Sequence, residues 1–389
     1  MIHKIFQAVA ILGCVSSSIY YMLCLWSASV FLRERQAKPQ ALPTETPAIS
    51  ILKPLKDVDP GIYESLRSHC LQDYPECEII FGVSDAADPA VTSVQQLQRE
   101  FPRRRIQLVV CPDILGANIK VSNLSVMVES ATHDLLVVND SDIRVERDYL
   151  SRIAEPFSDE RVGIVTCLYR GIAAPSLGSR LESLGISTDF SPGVLVARSI
   201  EGGIRFGLGS TLAFRRRDLE RIGGFASIVD FLADDYELGK RIADLGLQVH
   251  LSDVVVETHL PHYDLRGFLD HQIRWARGVR DSRMGGYIGL VSTFGLMWAL
   301  MAVIAFYGVS WAWLLLCAVG ALRLAVAITI GKAVLQDSKV IKLLWLIPLR
   351  DLIAVGVWIA SFAGHTVTWR GDRFELRKGR LIRVETPNG

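Results

Sequence analysis

The feature that most limits how this chain can fold is a pair of apolar blocks enclosing a middle of ordinary composition. Ile5–Leu32 is an apolar run long enough, as a helix, to span a bilayer. It ends in Arg33, Glu34, Arg35 and Lys38. A cleaved leader would have a shorter apolar core and a small-residue cleavage site, so the run reads as a retained anchor. Its basic flank places the middle of the chain on the cytoplasmic side. From about Tyr287 the chain turns apolar again. Ile288–Tyr307 and Trp311–Ile330 each have spanning length and are separated only by Gly308–Ser310, the pattern of a hairpin. A third run, Leu343–Ala363, carries Arg350 and Asp351, and charges at such depth face protein or water. The tail beyond it holds Arg370, Arg373, Arg377, Lys378, Arg380 and Arg383. If the third run crosses, this tail lies outside. If the run is re-entrant or interfacial, the tail stays inside.

Between the blocks, Gln36–Pro47 reads as a proline-rich linker. Short apolar runs then recur at Ile49–Leu55, Glu78–Ser84, Gln107–Cys111, Leu135–Asn139 and Val162–Leu168, with helix-like segments at Ile62–Gln72 and Ala90–Phe101. Strand alternating with helix implies an α/β fold with a mostly parallel sheet covered on both faces. Such sheets bind ligands at the carboxyl ends of their strands. The expected organisation is an anchor at 1–35, a linker at 36–47, a catalytic domain at 48–286 ending in an interfacial segment, membrane helices at 287–365 and a basic tail at 366–389. With 50% hydrophobic residues over 389 and a net charge of +1, the chain is apolar for a soluble enzyme and has no basic field for nucleic acid. Its seven cysteines are scattered without a C-x-x-C pair, which argues against a disulfide framework or a zinc site and for a reducing compartment.

Five local patterns carry possible chemistry. Val137–Asp142 is an apolar strand ending in Asp140-Ser141-Asp142. Residues two apart in an extended chain point the same way, so both carboxylates can face one spot and suit Mg²⁺ or Mn²⁺, with phosphate oxygens completing the shell. A solvated turn is the plainer reading. Phe81–Asp85 is a second strand ending in an acid, followed by Asp88. Asp85 could bond a nucleotide's base or ribose, or an acid here could simply cap the next helix. Lys120, after the loop Gly116-Ala117-Asn118, could meet a diphosphate or be an ordinary surface lysine. Asp234-Asp235-Tyr236 opens an amphipathic helix. The acids either favour its N-terminus or supply a general base for deprotonating an alcohol. His271-Gln272-Ile273-Arg274-Trp275-Ala276-Arg277 sets cations beside a large aromatic, able to grip a leaving diphosphate, line an acceptor path or lie on a membrane surface.

Taken in order, these patterns resemble the family-2-like inverting glycosyltransferases of the GT-A fold, often written D, D, D, (Q/R)xxRW. The similarity is greatest to the ceramide glucosyltransferase branch, family 21. Asp85 with Asp88, Lys120-Val121-Ser122-Asn123-Leu124, Asp140-Ser141-Asp142 and Asp234-Asp235-Tyr236 match its motifs between Ile49 and Arg280. Within that branch the chain looks most like the bacterial hopanoid-associated enzymes, on Leu55-Lys56, Gln72-Asp73-Tyr74-Pro75, Gly116-Ala117-Asn118, Gly209-Ser210-Thr211 and Arg274-Trp275-Ala276-Arg277.

The resemblance implies a Rossmann-like mixed-sheet GT-A domain between an N-terminal transmembrane helix and a C-terminal membrane helical region. It implies a metal-dependent inverting hexosyltransferase in the bacterial inner membrane, moving N-acetylglucosamine from a UDP-sugar to a hopanoid polyol. In that scheme Asp85 and Lys120 hold the nucleotide, Asp140 and Asp142 the diphosphate and metal, and Asp235 is the base. Arg274 and Trp275 close the site. The (Q/R) position is His271, with Gln272 one place late, so either fills that role. The full Asp-x-Asp, where the animal ceramide enzymes end in Gly, favours a bacterial-type site. Rivals are a ceramide glucosyltransferase using UDP-glucose, a processive polysaccharide synthase and a non-catalytic membrane scaffold.

Overall fold

The structure, a computed structural model, describes residues 1–37, 46–59, 61–369 and 372–384. Most of the linker expected at 36–47, and Arg370, fall outside these residues. The chain forms two compact units. One comprises Pro39–Ala174, Glu201–Pro261 and Thr366–Gly389; the other comprises Met1–Lys38, Pro175–Ile200 and His262–His365.

The first unit is built on an eight-stranded sheet. In chain order its strands are β1 (Ile49–Pro54), β2 (Cys77–Val83), β3 (Arg105–Val110), β4 (Leu135–Val138), β5 (Ile143–Arg144), β6 (Val162–Ile172), β7 (Leu212–Arg215) and β8 (Gln248–His259). Their order across the sheet is β3-β2-β1-β4-β7-β6-β8-β5. β1 runs parallel to β2 and β4, and Ile51 sits between Ile79 and Val137. Every residue of β1 and β4 is buried, as expected of mostly apolar central strands covered on both faces. β7 lies antiparallel between β4 and β6, which makes the sheet mixed. Because β1, β2 and β4 are parallel, the segments that follow them, with Asp57–Asp59, Asp85–Asp88 and Asp140–Asp142, leave one edge.

The tail is folded. β9 (Thr366–Trp369), β10 (Asp372–Arg377) and β11 (Arg380–Arg383) form an antiparallel sheet. Alternation buries Phe374, Leu376 and Leu381 with Val367, and this cluster packs against Ala117 and Leu232. The segment read as a basic tail therefore belongs to the same unit as the large sheet.

The second unit is helical. It holds Ile2–Ala37, a pair Leu177–Gly185 and Ser191–Ile200 joined through a π turn at Ile186–Phe190, and Leu265–Ser282. Among the described residues, three helices are long and apolar enough to cross a membrane: Ile2–Ala37, Ser310–Val334 and Val340–Ser361. The expected arm Ile288–Tyr307 is instead a pair, Met284–Thr293 and Gly295–Ala305, bent by 53°; counted as one span it raises the total to four. The expected boundary at 48–286 also differs from the grouping observed. Residues 175–200 and 262–286 join the apolar helices, because Leu181, Leu184 and Phe268 share one core with Ala327, Val340, Leu346 and Ile347. Asp351 is paired, its carboxylate receiving two nitrogens of Arg323 at 2.6 and 3.0 Å. Arg350 lies 3.2 Å from Asp189. All seven cysteines are free.

Candidate active site

The site in the sheet unit starts where β4 ends. Asn139 is buried, and its Nδ2 donates to Tyr149 Oη at 2.9 Å and to the Ser210 carbonyl at 2.6 Å. This fixes the chain just before Asp140. Asp142 accepts a hydrogen bond from Thr258 Oγ1 on β8. Burial and the nearby Asp140 carboxylate push the Asp142 pKa up to about 6, against the Thr258 hydrogen bond, which lowers it.

Lys120 lies in the first turn of the helix Ile119–Met127, whose N-cap Asn118 accepts from the Val121 N–H. Its Nζ is 2.7 Å from Asp140 Oδ1 and 3.0 Å from Asp234 Oδ2. Burial disfavours the ammonium, but Asp140 and Asp234 outweigh it and hold the pKa above the ordinary lysine value. Lys120 is thus bound by carboxylates here, and a phosphate would have to displace one of them.

Asp235 follows Asp234 at the start of the helix Asp234–Asp244. Its Oδ2 accepts the Gly209 N–H at 2.8 Å and its Oδ1 the Tyr236 N–H at 2.8 Å. Burial and the Asp234 carboxylate raise its pKa to about 6, with Lys120 opposing. Gly209 separates the two acidic motifs: a Cβ there would lie 2.9 Å from Asp140 Oδ2 and 3.3 Å from Asp235 Oδ2. The structure therefore brings Lys120, Asp140, Asp234, Asp235 and Gly209 into one cluster. A carboxylate with a pKa near 6 is basic enough to take a proton from an attacking hydroxyl and is ionised at neutral pH.

Lys53 escaped sequence reasoning. It is fully buried at the end of β1, and its Nζ donates to the Asp140 carbonyl at 2.9 Å. Burial drives its pKa down to about 7, opposed by Asp142 and Asp140. A lysine inside an apolar strand, followed by the acids of Asp57–Asp59, was the only available signal. Asp85 is exposed and accepts the Ala87 N–H at 2.8 Å. Asp88 accepts the Ala90 N–H at 2.9 Å, just ahead of the helix Ala90–Glu100.

His271, Gln272, Arg274 and Trp275 lie in the helical unit, on the helix Leu265–Ser282. His271 Nδ1 is 3.3 Å from Glu182, and Gln272 donates to Glu182 at 2.8 Å while accepting from Arg350 at 3.0 Å. Trp275 completes an aromatic ladder with His271 and Phe190, at centroid distances of 5.1 and 6.3 Å. Arg277 and Arg280 donate to the carbonyls of Ala363 and Gly364, at 3.0 and 3.1 Å, just beyond the helix Ile347–Ser361.

Among the described residues no three His, Cys, Asp or Glu side chains are arranged to hold a metal ion by themselves. Asp140 and Asp142 offer hard oxygen donors, which fit a divalent cation whose shell is completed by phosphate oxygens.

A mixed sheet whose edge gathers an Asp-x-Asp, a lysine and a second acidic pair defines a GT-A glycosyltransferase. The chain belongs to glycosyl transferase family 21, whose model matches residues 9–382. Among relatives, it is 23% identical to ceramide glucosyltransferase 3 of Caenorhabditis elegans over 86% of this chain and 74% of that one. It is 22% identical to ceramide glucosyltransferase 1 of the same organism over 97% of this chain and 82% of that one. An N-acetylglucosaminyltransferase of Rhizobium meliloti (strain 1021) is 26% identical over 62% of this chain and 59% of its own length. The fold is similar to that of a mannosyltransferase from Pyrobaculum calidifontis solved with GDP-Man and Mn2+, with a TM-score of 0.53 and 20% identity, covering 92% of this chain and 99% of that one.

Proposed function

We propose that the chain transfers N-acetylglucosamine from a UDP-sugar to a hydroxyl of a membrane lipid, a hopanoid polyol such as bacteriohopanetetrol, with inversion at the anomeric carbon. The observation that carries this reading is the placement of Asp235: a carboxylate of raised pKa, held by the Gly209 N–H, in one cluster with Lys120 and Asp140. Asp235 takes the proton of the lipid hydroxyl as its oxygen bonds to the anomeric carbon. The bond from that carbon to the diphosphate breaks on the opposite face, and UDP leaves with the electron pair. Asp85 and Lys120 orient the nucleotide. Asp140 and Asp142 would hold a Mg²⁺ or Mn²⁺ ion, which supplies Lewis-acid compensation of the leaving group's charge. For His271, Gln272, Arg274 and Trp275 the support is the motif match, which assigns them to grip the diphosphate or line the acceptor path. The basic flank of Ile2–Ala37 supports a catalytic unit at the cytoplasmic face of the bacterial inner membrane.

The test uses purified protein in detergent with Mg²⁺ or Mn²⁺. Bacteriohopanetetrol and ceramide are each paired with UDP-GlcNAc and UDP-glucose, and products are read by mass spectrometry. An N-acetylhexosamine adduct on the hopanoid is expected. A hexose adduct on ceramide alone would replace both substrates with the pair favoured by the ceramide glucosyltransferase relatives. Absence of both transfer and donor hydrolysis would contradict the enzymatic reading.

A further inference from the structure

The helix that starts with Asp234 and Asp235 has no cap of its own. Its N-cap is Ala233, which offers no side-chain acceptor. The geometry of its first turn therefore depends on what holds Val229–Ala233 in place. On one side the Lys120 loop does so: Asn118 N–H donates to the Val229 carbonyl at 2.7 Å, Asn118 Nδ2 to the Phe231 carbonyl at 2.9 Å, and Ala117 N–H to Asp230 Oδ1 at 3.1 Å. On the other side stands the C-terminal sheet. Leu381 N–H donates to the Asp230 carbonyl at 2.7 Å, and Leu232 N–H to the Gly379 carbonyl at 3.1 Å. Gly379 sits with Lys378 in the two-residue turn between β10 and β11, at φ of +78° and +51°. That geometry is a tight hairpin turn, which aims the Gly379 carbonyl outward at Leu232.

Side chains repeat the connection. Two guanidinium groups sit over the Phe231 ring, Arg380 of the tail at 5.2 Å and Arg241 of the Asp234 helix at 5.3 Å. Leu232 and Ala117 pack on the cluster of Val367, Phe374, Leu376 and Leu381. One layered assembly thus joins the Lys120 loop, the segment before Asp234 and the end of the chain.

We propose that the C-terminal sheet is a positioning element for the reaction, with Arg380 and Leu381 acting through Phe231 and Asp230 to set the Asp234–Asp235 turn against Lys120. This rests on the assignment of Asp235 as the base. In this scheme the effect of the sheet is on placement, and small displacements of catalytic groups lower turnover steeply.

The experiment measures initial rates over donor and acceptor concentration for the full chain and for Arg380→Lys, Arg380→Gln, Leu381→Asp and Asp235→Asn. Each variant also gets an unfolding midpoint and hydrogen exchange at residues 228–236. Arg380 is exposed, so its variants should fold. Arg380→Gln should lower kcat about threefold, the size of one exposed cation–π contact, with the midpoint unchanged and Arg380→Lys at the wild-type rate. Leu381→Asp should lower kcat roughly 100-fold and speed exchange at 228–236. Wild-type kcat in both Arg380→Gln and Leu381→Asp, with Asp235→Asn inactive, would overturn the positioning role alone. Turnover retained in Asp235→Asn would instead remove the base assignment on which it rests.

Discussion

A methyl group on residue 209 has nowhere to go. Its nearest neighbours are Asp140 Oδ2 at 2.9 Å and Asp235 Oδ2 at 3.3 Å. Gly209→Ala is therefore expected to push the two carboxylates apart and to lower kcat roughly 100-fold. Initial rates check this, and a wild-type rate would show that the two acids do not act in one site. The ionisation of Asp235 gives a second expectation. A protonated carboxylate cannot accept the lipid proton, so log kcat should be level above about pH 6 and fall with unit slope below it, following the raised pKa. An acidic limb centred near 4 would place the base in water instead. At this scale the Asp-x-Asp, Lys120 and the adjacent acids were legible, because each stood beside an apolar strand or at a helix start. Lys53 and the Lys120–Asp234 pair were not. Their partners lie far along the chain, and only the sheet order brings them together.

Among the elements, buried central strands were the easiest to read. β1, β2 and β4 are predominantly apolar runs, and the structure places them within a residue or two of the expected bounds. β7 escaped because only Leu212–Phe214 are apolar before Arg215, and β8 because its partly buried pattern mixes Gln248, His250, Asp253 and Glu257 with valines. The tail sheet was hidden by its arginines, of which Arg373, Arg377 and Arg380 sit on the exposed face of an alternation whose other face is Phe374, Leu376 and Leu381. The helical unit shows how charges survive among apolar helices. Arg323 donates to Asp351, to Asp189 and to the Thr188 carbonyl, and is almost fully buried. Arg323→Met leaves Asp351 without its bidentate partner and should destabilise this unit by about 3–5 kcal/mol. The double variant Arg323→Met with Asp351→Leu should recover part of the loss. Thermal unfolding in detergent compares them; equal midpoints for the single and double variants would show that the pair is not what stabilises these helices.

At the scale of the whole molecule, the position of the tail constrains how the chain crosses the membrane. Pro261 and Thr366 both belong to the sheet unit. The stretch between them must leave and return on one side, so it makes an even number of complete crossings. Among the described residues, length and hydropathy allow three spans, or four if the bent pair Met284–Ala305 is one. Three spans leave two crossings in that stretch and satisfy the condition; four leave three and do not. In a cysteine-free background, Gln98→Cys and Thr368→Cys should react with an impermeant maleimide from the same side of the membrane, and labelling from opposite sides would contradict this. The most direct test of the central claim is the Asp235→Asn variant in the lipid transfer assay, with UDP-sugar binding measured in parallel. Transfer should fall by at least about 10²–10⁴-fold, the range of a general-base contribution, with donor affinity close to wild type. Transfer at the wild-type rate would show that some other group takes the proton.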